Sequence, residues 1–262
     1  MAGGKIGALI HISEFITIGG AAFGALIIMS PPKVMKDLIL GILQVLKGSL
    51  YGKSTCIQML QVMYALARLV RQNGLLALDS HVTNPEQSEI LQQYPKIHTN
   101  FHIRQFLCDS LSLIIDGTVE SEQLRQWLEE EIQVLEREHH AAVMVMLRTA
   151  DSLPGFGIVA AVLGIVVTMQ AIGGPVETIG YKVGAALVGT FLGILMAYGF
   201  FAPIGARMEA LSEQELLFFR ALSEAVIAIN DGASPKDVVM RARRIIGTAC
   251  RPTQTEMKEL FG

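Results

Sequence analysis

Two threonines are the side chains best suited to chemistry in the apolar parts of this sequence. Thr168 lies eight residues before the end of one charge-free stretch, 152–176, and Thr190 lies seven residues after the start of the next, 183–206. Antiparallel helices over these stretches would place both hydroxyls at a similar depth, where they could line a small polar site. Each hydroxyl could instead bond to its own helix backbone, as Ser and Thr often do in membrane helices.

Small residues recur at helical spacing around these threonines. Steps of four, three and four put each set on one face of its helix. The sets are Gly157, Ala161, Gly164 and Thr168, then Ala186, Thr190, Gly193 and Ala197, and GxxxG motifs occur at Gly189–Gly193 and Gly20–Gly24. Small faces let helices approach closely. Packing within one subunit is the simpler interpretation, and a helix from a partner fitting against these faces is the alternative.

Asp, Glu, Lys, Arg and His are absent from the three stretches considered as membrane spans, 15–32, 152–176 and 183–206. A span needs about 20 apolar residues, so the second and third qualify and the first is marginal. A charge at the bilayer centre costs roughly 2.5–3.5 kcal/mol and occurs where ions are handled. The sequence therefore predicts that a partner helix supplies any proton-carrying carboxylate. A first span that begins earlier would bring His11 and Glu14 near its outer end.

The rest of the chain has apolar residues at helical spacing and no strand-like alternation. We therefore predict an all-α integral membrane protein with three membrane helices and a helical cytoplasmic domain. The predicted segments are a periplasmic segment (1–14), a membrane helix (15–32), a cytoplasmic helical domain (33–151), a membrane helix (152–176), a periplasmic turn (177–182), a membrane helix (183–206) and a cytoplasmic helical tail (207–262).

The orientation follows from the distribution of Lys and Arg. The segment 33–151 holds eleven of them and the tail 207–262 holds eight, whereas the N-terminus has Lys5 and the hairpin turn has Lys182. By the positive-inside rule, the large segment and the tail are cytoplasmic. Met1 is then outside without a signal peptide. Either the first span inserts with its N-terminus outward, or an upstream helix is missing from this chain.

Glycines and capping residues predict where several helices begin and end. Glycine favours helix ends, and Ser favours the position before the first helical residue. The predicted ends are at Gly48, Gly74 and Gly117, and the predicted N-caps are Ser212, with Glu215 completing a capping box, and Ser234, with Pro235 at the first helical position.

Other kinds of site have little support. The net charge of −3 is too small to favour a nucleic-acid partner. Cys56, Cys108 and Cys250 are scattered and fit a reducing compartment. His98 and His102 have a metal-like i, i+4 spacing on one expected helix, but no third ligand lies nearby in sequence, so we predict no metal site. Phosphate loops, nucleophile elbows and zinc motifs are absent, and we predict neither an enzyme nor a cofactor.

Several motifs together resemble the A subunit of the bacterial flagellar stator, the MotA/PomA family. The resemblance covers nearly the whole chain. It lies in "AGGKIGALIHISEFITIGGAAFGALI" (2–27), "RQNGLLALD" (71–79), "NPEQSEIL" (84–91), "SLPGFGIVAAVLGIV" (152–166) and "GPVETIGYKVGAALVGTFLGILMAYGFFAPI" (174–204). The family has four membrane helices and its first precedes the "AGG" element, so the resemblance implies that this chain lacks that helix.

The resemblance implies a function and a set of partners. Such chains surround a dimer of B subunits, expected as a pentamer, in the bacterial inner membrane. The B subunit carries one membrane Asp and anchors the complex to peptidoglycan. Ion flow then turns the A ring against the rotor switch protein. The ion is expected to be H⁺, with Na⁺ as the alternative.

The resemblance also implies roles for four residues in the spans. Thr190 corresponds to the family's threonine that faces the partner's Asp, and Thr168 is assigned with it mainly from depth. Pro154 and Pro203 correspond to prolines that couple ion passage to torque. A proline near a helix end leaves a carbonyl unpaired and allows bending, and simple helix termination is the alternative.

Three charged residues are implied to contact the rotor. Arg71 and Asp79 correspond to the family's charged pair, which meets complementary charges on the rotor protein. The acidic member is often Glu, so Asp79 has a shorter reach. Glu131 lies near a third position of this kind. Each could instead be a solvated surface charge.

Three alternatives to a stator subunit stay open on the sequence. TolQ/ExbB-type energisers of outer-membrane processes have three spans, an outside N-terminus and a large cytoplasmic loop, which matches the topology inferred here. A self-contained channel or transporter is disfavoured, because the spans lack ionisable residues. A purely structural membrane scaffold would leave Thr190 and Pro154 without a role in ion flow.

Overall fold

In a computed structural model, which describes residues 11–170, 172–173 and 175–262, all regular structure is helical. The predicted all-α class is confirmed for these residues. The α-helices are α1 (Ile12–Met29), α2 (Pro32–Lys47), α3 (Lys53–Asn73), α4 (Asp79–Thr83), α5 (Glu89–Gln92), α6 (Pro95–His98), α7 (Phe101–Ile115), α8 (Ser121–Met169), α9 (Val176–Met196), α10 (Ala202–Asn230), α11 (Pro235–Ile245) and α12 (Gln254–Phe261). Short 3-10 helices cover Leu75–Leu78 and Pro85–Gln87, and a π-helical turn covers Ala197–Phe201.

The chain divides into two units. Residues 1–47 and 138–210 form the span unit, and residues 48–137 and 211–262 form the core unit. The span unit contains α1, α2, α9 and parts of α8 and α10. Among the described residues, three helices are long and apolar enough to cross a membrane by length and composition: α1, α8 and the continuous helical segment Val176–Asn230.

The helix ends differ from the predicted segment bounds. Helix α8 continues without a break across the predicted boundary at 151–152, and the predicted turn 177–182 lies inside α9. The connection between α8 and α9 falls instead between Met169 and Val176. The reason is that a charge-free window marks only the apolar part of a helix. Glu177 is favourable in the first turn of α9, where the helix dipole attracts negative charge.

Most of the local start and stop signals hold. The Ser234 hydroxyl accepts the Asp237 amide N–H at the start of α11, with Pro235 at the first helical position. Gly74 follows α3 with φ +83°, a conformation that costs a glycine little. The predicted capping box at Ser212 is wrong, because Ser212 lies inside α10, which begins ten residues earlier at Ala202.

The core unit is organised around large buried side chains. Phe219 contacts the rings of Tyr51, Phe106 and Phe218 with centroid distances of 4.9–5.9 Å. Leu60, Met63 and Leu66 of α3, Ile103 of α7 and Ala225 and Val226 of α10 are fully buried around them. Apolar area removed from water stabilises this unit by about 25 cal/mol per Å².

Candidate functional site

The hairpin of α8 and α9 is closed through glycines. A Cβ on Gly193 would lie 2.6 Å from the Leu153 carbonyl oxygen and 2.9 Å from the Gly157 Cα. A Cβ on Gly157 would lie 2.8 Å from the Gly189 carbonyl oxygen. Distances under 3 Å to backbone atoms leave no room for any side chain. The two helices therefore touch backbone to backbone at these positions, as small-residue faces allow.

The same faces continue toward the α8–α9 connection. A Cβ on Gly164 would lie 2.9 Å from the Ala186 Cβ, and one on Gly189 would lie 3.4 Å from the Ala161 amide nitrogen. The small-residue face of α8 therefore packs directly against the small-residue face of α9. The idea that a partner helix fits against them is wrong for Gly157, Gly164 and Gly193, since α8 and α9 of one chain already fill that space.

The two threonines do not lie at one depth. Thr190 has its Cα 3.4 Å from the Cβ that Gly157 would carry. Thr168 lies three turns further along α8, about 16 Å from Gly157 at 1.5 Å per residue. The expectation of a similar depth is therefore wrong, because it was measured from the ends of charge-free stretches and not from the register of the two helices.

The surroundings of the threonines also differ. The Thr168 hydroxyl donates to the Gly164 carbonyl at 2.7 Å, and the residue is 4% exposed. This is the backbone bond that membrane threonines often make. Thr190 is half-buried on α9. The assigned ion-pathway role of each threonine remains a prediction.

An ionisable side chain does lie among the apolar helices. Helix α1 begins at Ile12, so Glu14 is in its first turn and inside a helix apolar enough to span a membrane. The Glu14 Oε2 atom lies 2.9 Å from the position that a Cβ of Gly189 would take, and Glu14 is 8% exposed. The alternative left open by the sequence, a first span that begins earlier with Glu14 near its outer end, matches the bounds of α1. Defining a span as a charge-free stretch removes such residues from it in advance.

Pro154 and Pro203 both interrupt helical hydrogen bonding. They lie near the end of the hairpin that is opposite the α8–α9 connection. Pro154 lies inside α8, which continues through it. Because proline has no N–H, the carbonyl four residues earlier loses its helical partner. Pro203 follows the π-helical turn Ala197–Phe201, where the Ala202 amide donates to the Ala197 carbonyl. Neither proline terminates its helix, so their alternative interpretation as simple helix ends is wrong.

The three residues assigned to the rotor lie at the surface of the core unit. Arg71 is exposed in the last turn of α3, where a cation is favourable. Asp79 is exposed at the first position of α4 and accepts the Thr83 hydroxyl at 3.3 Å. Glu131 is on α8, where desolvation and the nearby Asp109 raise the pKa of its carboxyl. Their assigned roles remain predictions.

Metal-binding geometry is missing from the part of the chain that the structure describes, where no three His, Cys, Asp or Glu side chains form a group that could hold an ion. His98 ends α6 and His102 belongs to α7, so the expected i, i+4 pair on one helix is wrong. The turn at Thr99 and Asn100 separates the two helices, and the Asn100 side chain caps α7 by accepting the Ile103 amide.

Comparison with known proteins agrees with this architecture. The Motility protein A N-terminal family matches residues 1–74, and the MotA/TolQ/ExbB proton channel family matches residues 98–221. Motility protein A of Salmonella typhimurium is 33% identical over 259 residues, which cover 99% of this chain and 88% of that protein. The chain belongs to the motility protein A family.

A second relative and a solved structure support the assignment to the motility protein A family. Chemotaxis protein LafT of Vibrio parahaemolyticus is 35% identical over 258 residues, covering 98% of this chain and 90% of that protein. The structure of C. jejuni MotAB matches with a TM-score of 0.76 and 25% identity, over 96% of this chain and 91% of that one. The family is one of channel subunits and not one of enzymes.

Sequence reasoning missed Glu14 as a site residue. The available signal was the short first span, which reaches about 20 apolar residues only if it starts before Phe15. Its contact with Gly189 had no sequence signal, since the two residues are 175 positions apart.

Proposed function

We propose that this chain is the A subunit of a flagellar stator, which forms an ion channel with a B subunit and converts ion flow into torque on the rotor. The observation that carries the proposal is the joint match to the Motility protein A N-terminal domain and the proton-channel domain along one chain. The closed α8–α9 hairpin supports it, because a rigid pair of apolar helices can form a wall of such a channel.

Deletion of the gene tests this function directly. The deletion strain is expected to assemble normal flagella and fail to swim, and the gene with its upstream sequence is expected to restore swimming. The TolQ/ExbB alternative makes the opposite prediction. Cells that swim normally but leak periplasmic contents or lose iron uptake would assign the chain to that class.

The ion path combines this chain with its partner. We propose that a B subunit brings a membrane Asp opposite Thr190 and that five A chains surround two B chains. The ion is H⁺, and one charge that crosses 100 mV releases about 2.3 kcal/mol. Swimming should therefore stop with a protonophore and persist in sodium-free medium. Persistence with the protonophore and loss without sodium would assign Na⁺ instead.

The location and the rotor contact complete the proposal. The chain lies in the bacterial inner membrane with the core unit in the cytoplasm, and Arg71, Asp79 and Glu131 face complementary charges on the rotor switch protein. Charge reversal of Arg71 to Glu should abolish swimming without loss of the A–B complex. Reversal of Lys236, an exposed cation at the start of α11, is the matched control.

A further inference from the structure

Among the residues that the structure describes, Glu14 is the only carboxyl side chain on α1, and it is buried inside the span unit. Its side chain lies on the buried face of α1 together with Ile18 and Ala22. The residues packed around this face are apolar, and they include Ala160, Val188 and Leu192. A carboxyl in such surroundings lacks the solvation that water would give it.

The Glu14 carboxyl has no hydrogen bond or ion pair with the residues described, 11–170, 172–173 and 175–262. More than nine-tenths of the residue is nevertheless removed from solvent. Burial of a carboxylate without a hydrogen-bond or ion-pair partner is costly. Ionisable residues inside membrane segments mark ion pathways or proton relays by default.

Gly189 provides the space that the carboxyl occupies. The Oε2 atom lies where the first side-chain atom of any other residue at position 189 would be, at 2.9 Å from that Cβ position. Gly189 directly precedes Thr190, the residue assigned to the ion path. The carboxyl therefore lies beside the wall of that path and not on the lipid side of α1.

Among the residues that the structure describes, three ionisable side chains lie on the side of Glu14 toward the α8–α9 connection. On α1, His11 precedes the first turn and its ring meets Tyr181 of α9 at 5.2 Å, edge to face. On α9, Lys182 and Glu177 lie two or more turns before Gly189. Helix α8 has no Asp, Glu, Lys, Arg or His from Ser152 to its end at Met169.

A purely structural role explains only part of these observations. An acidic residue in the first turn of α1 interacts favourably with the helix dipole, as it would at an exposed site. That role needs no burial, no contact with α9 and no glycine at position 189.

We propose that Glu14 is a proton-binding carboxyl in the ion pathway of this chain, an inference that rests on the stator function proposed above. The Glu14 carboxylate takes a proton from a hydronium ion at the periplasmic end of the hairpin, which leaves water, and becomes a neutral carboxylic acid. It then passes that proton to the membrane carboxylate of the B subunit and is again a carboxylate.

The test is proton flux through the complete A–B complex, reconstituted in phospholipid vesicles with a pH dye inside and an imposed membrane potential. Glu14→Gln keeps the shape of the side chain and removes the titratable oxygen. We expect its flux to fall at least tenfold while the complex still copurifies. Glu14→Asp should retain part of the flux. Glu177→Gln, which removes an exposed carboxyl in the first turn of α9, is the control and should match the wild-type chain.

The outcomes separate this proposal from the function on which it depends. No flux through the wild-type complex would contradict the stator function itself. Wild-type flux that is unchanged in an assembled Glu14→Gln complex would overturn only the role of Glu14.

A second measurement decides the case in which Glu14→Gln fails to assemble. A hydrophobic carbodiimide reacts with protonated buried carboxyls, so mass spectrometry of the wild-type complex should find the adduct on Glu14. Proton flux should fall as labelling proceeds. Absence of the adduct on Glu14 at every pH tested would overturn the proposal.

Discussion

The two units pack their helices by different means. In the core unit, Phe218 and Phe219 lie among other large side chains, and helices are held apart by what fills the space between them. In the span unit, Gly157 and Gly193 bring two backbones into contact. Water drives the burial of large apolar side chains, whereas lipid is as apolar as leucine and gives no such drive. In the span unit, close contact between two helix backbones takes the place of large buried side chains.

Two buried glutamates show the same contrast. Glu215 of the core unit is 9% exposed and accepts the Tyr51 hydroxyl at 2.6 Å. Glu14 of the span unit is 8% exposed and has no such partner among the residues described. A satisfied buried carboxyl contributes to one stable packing arrangement. One without a protein partner is available to bind something else, which is why the two are expected to respond differently to substitution.

The largest effect is expected from truncating the aromatic cluster of the core unit. Phe219→Ala should destabilise the protein by about 3–5 kcal/mol, because a large cavity is left among rings that cannot all collapse into it. The unfolding temperature in detergent should fall by roughly 6–20 °C. Phe101→Ala, at a ring that is 61% exposed, is the control and should change it little. An equal fall in unfolding temperature for both variants would contradict the view that large buried side chains hold the core unit together.

Addition of one methyl group tests the span unit. Gly193→Ala should cost about 1–3 kcal/mol, because the Leu153 carbonyl oxygen cannot move away from the new Cβ without moving α8. We expect loss of swimming and weaker recovery of the B subunit with the chain. Gly184→Ala on the same helix meets no atom within 4 Å and should behave as wild type. Normal swimming with Gly193→Ala would show that the hairpin is less tightly closed.

Removal of the Tyr51 hydroxyl tests how much its hydrogen bond to the buried Glu215 stabilises the core unit. Tyr51→Phe deletes the donor to Glu215 and should destabilise the protein by about 1.5–3 kcal/mol, the range for hydrogen bonds to charged groups. Burial raises the pKa of Tyr51, and the Glu215 carboxylate beside it raises that pKa further. Tyr64→Phe keeps the ring contact with Phe261 and serves as the control. An unchanged unfolding temperature for Tyr51→Phe would mean that Glu215 is satisfied without it.

The smallest effect is a pH dependence of the C-terminal helix. Lys53 donates to Glu256 at 2.6 Å, and Glu256 also accepts the Thr253 amide at 2.7 Å, which lowers the pKa of Glu256 to about 2. A lowered pKa stabilises the folded state above pH 4.5, and this contribution is lost as the pH falls from about 4.5 toward 2. Hydrogen-exchange protection of α12 should fall over that range.

The variant Glu256→Gln is the control for this pH dependence. It removes the titrating carboxyl, so its α12 protection should be lower at neutral pH and nearly flat between pH 5 and pH 2. A wild-type profile in the variant would show that another group is responsible.

Local features of the fold were predictable because they depend on a few neighbouring residues. Apolar periodicity predicted helices, Ser234 with Pro235 predicted the start of α11, and Gly74 predicted the end of α3. The capping prediction failed at Ser212, where a Ser and a Glu three residues apart are also compatible with the inside of a helix. A local motif cannot report that α10 has already begun at Ala202.

The sequence by itself determined the helical class, the apolar character of three helices and, through its motifs, the family. Tertiary structure alone decided which faces meet. It set the register that separates Thr168 from Thr190, closed the small faces of α8 and α9 on each other, and placed Glu14 against Gly189. The physical reason is range: capping and periodicity act within a few residues, whereas the register between helices results from contacts between residues far apart in the chain.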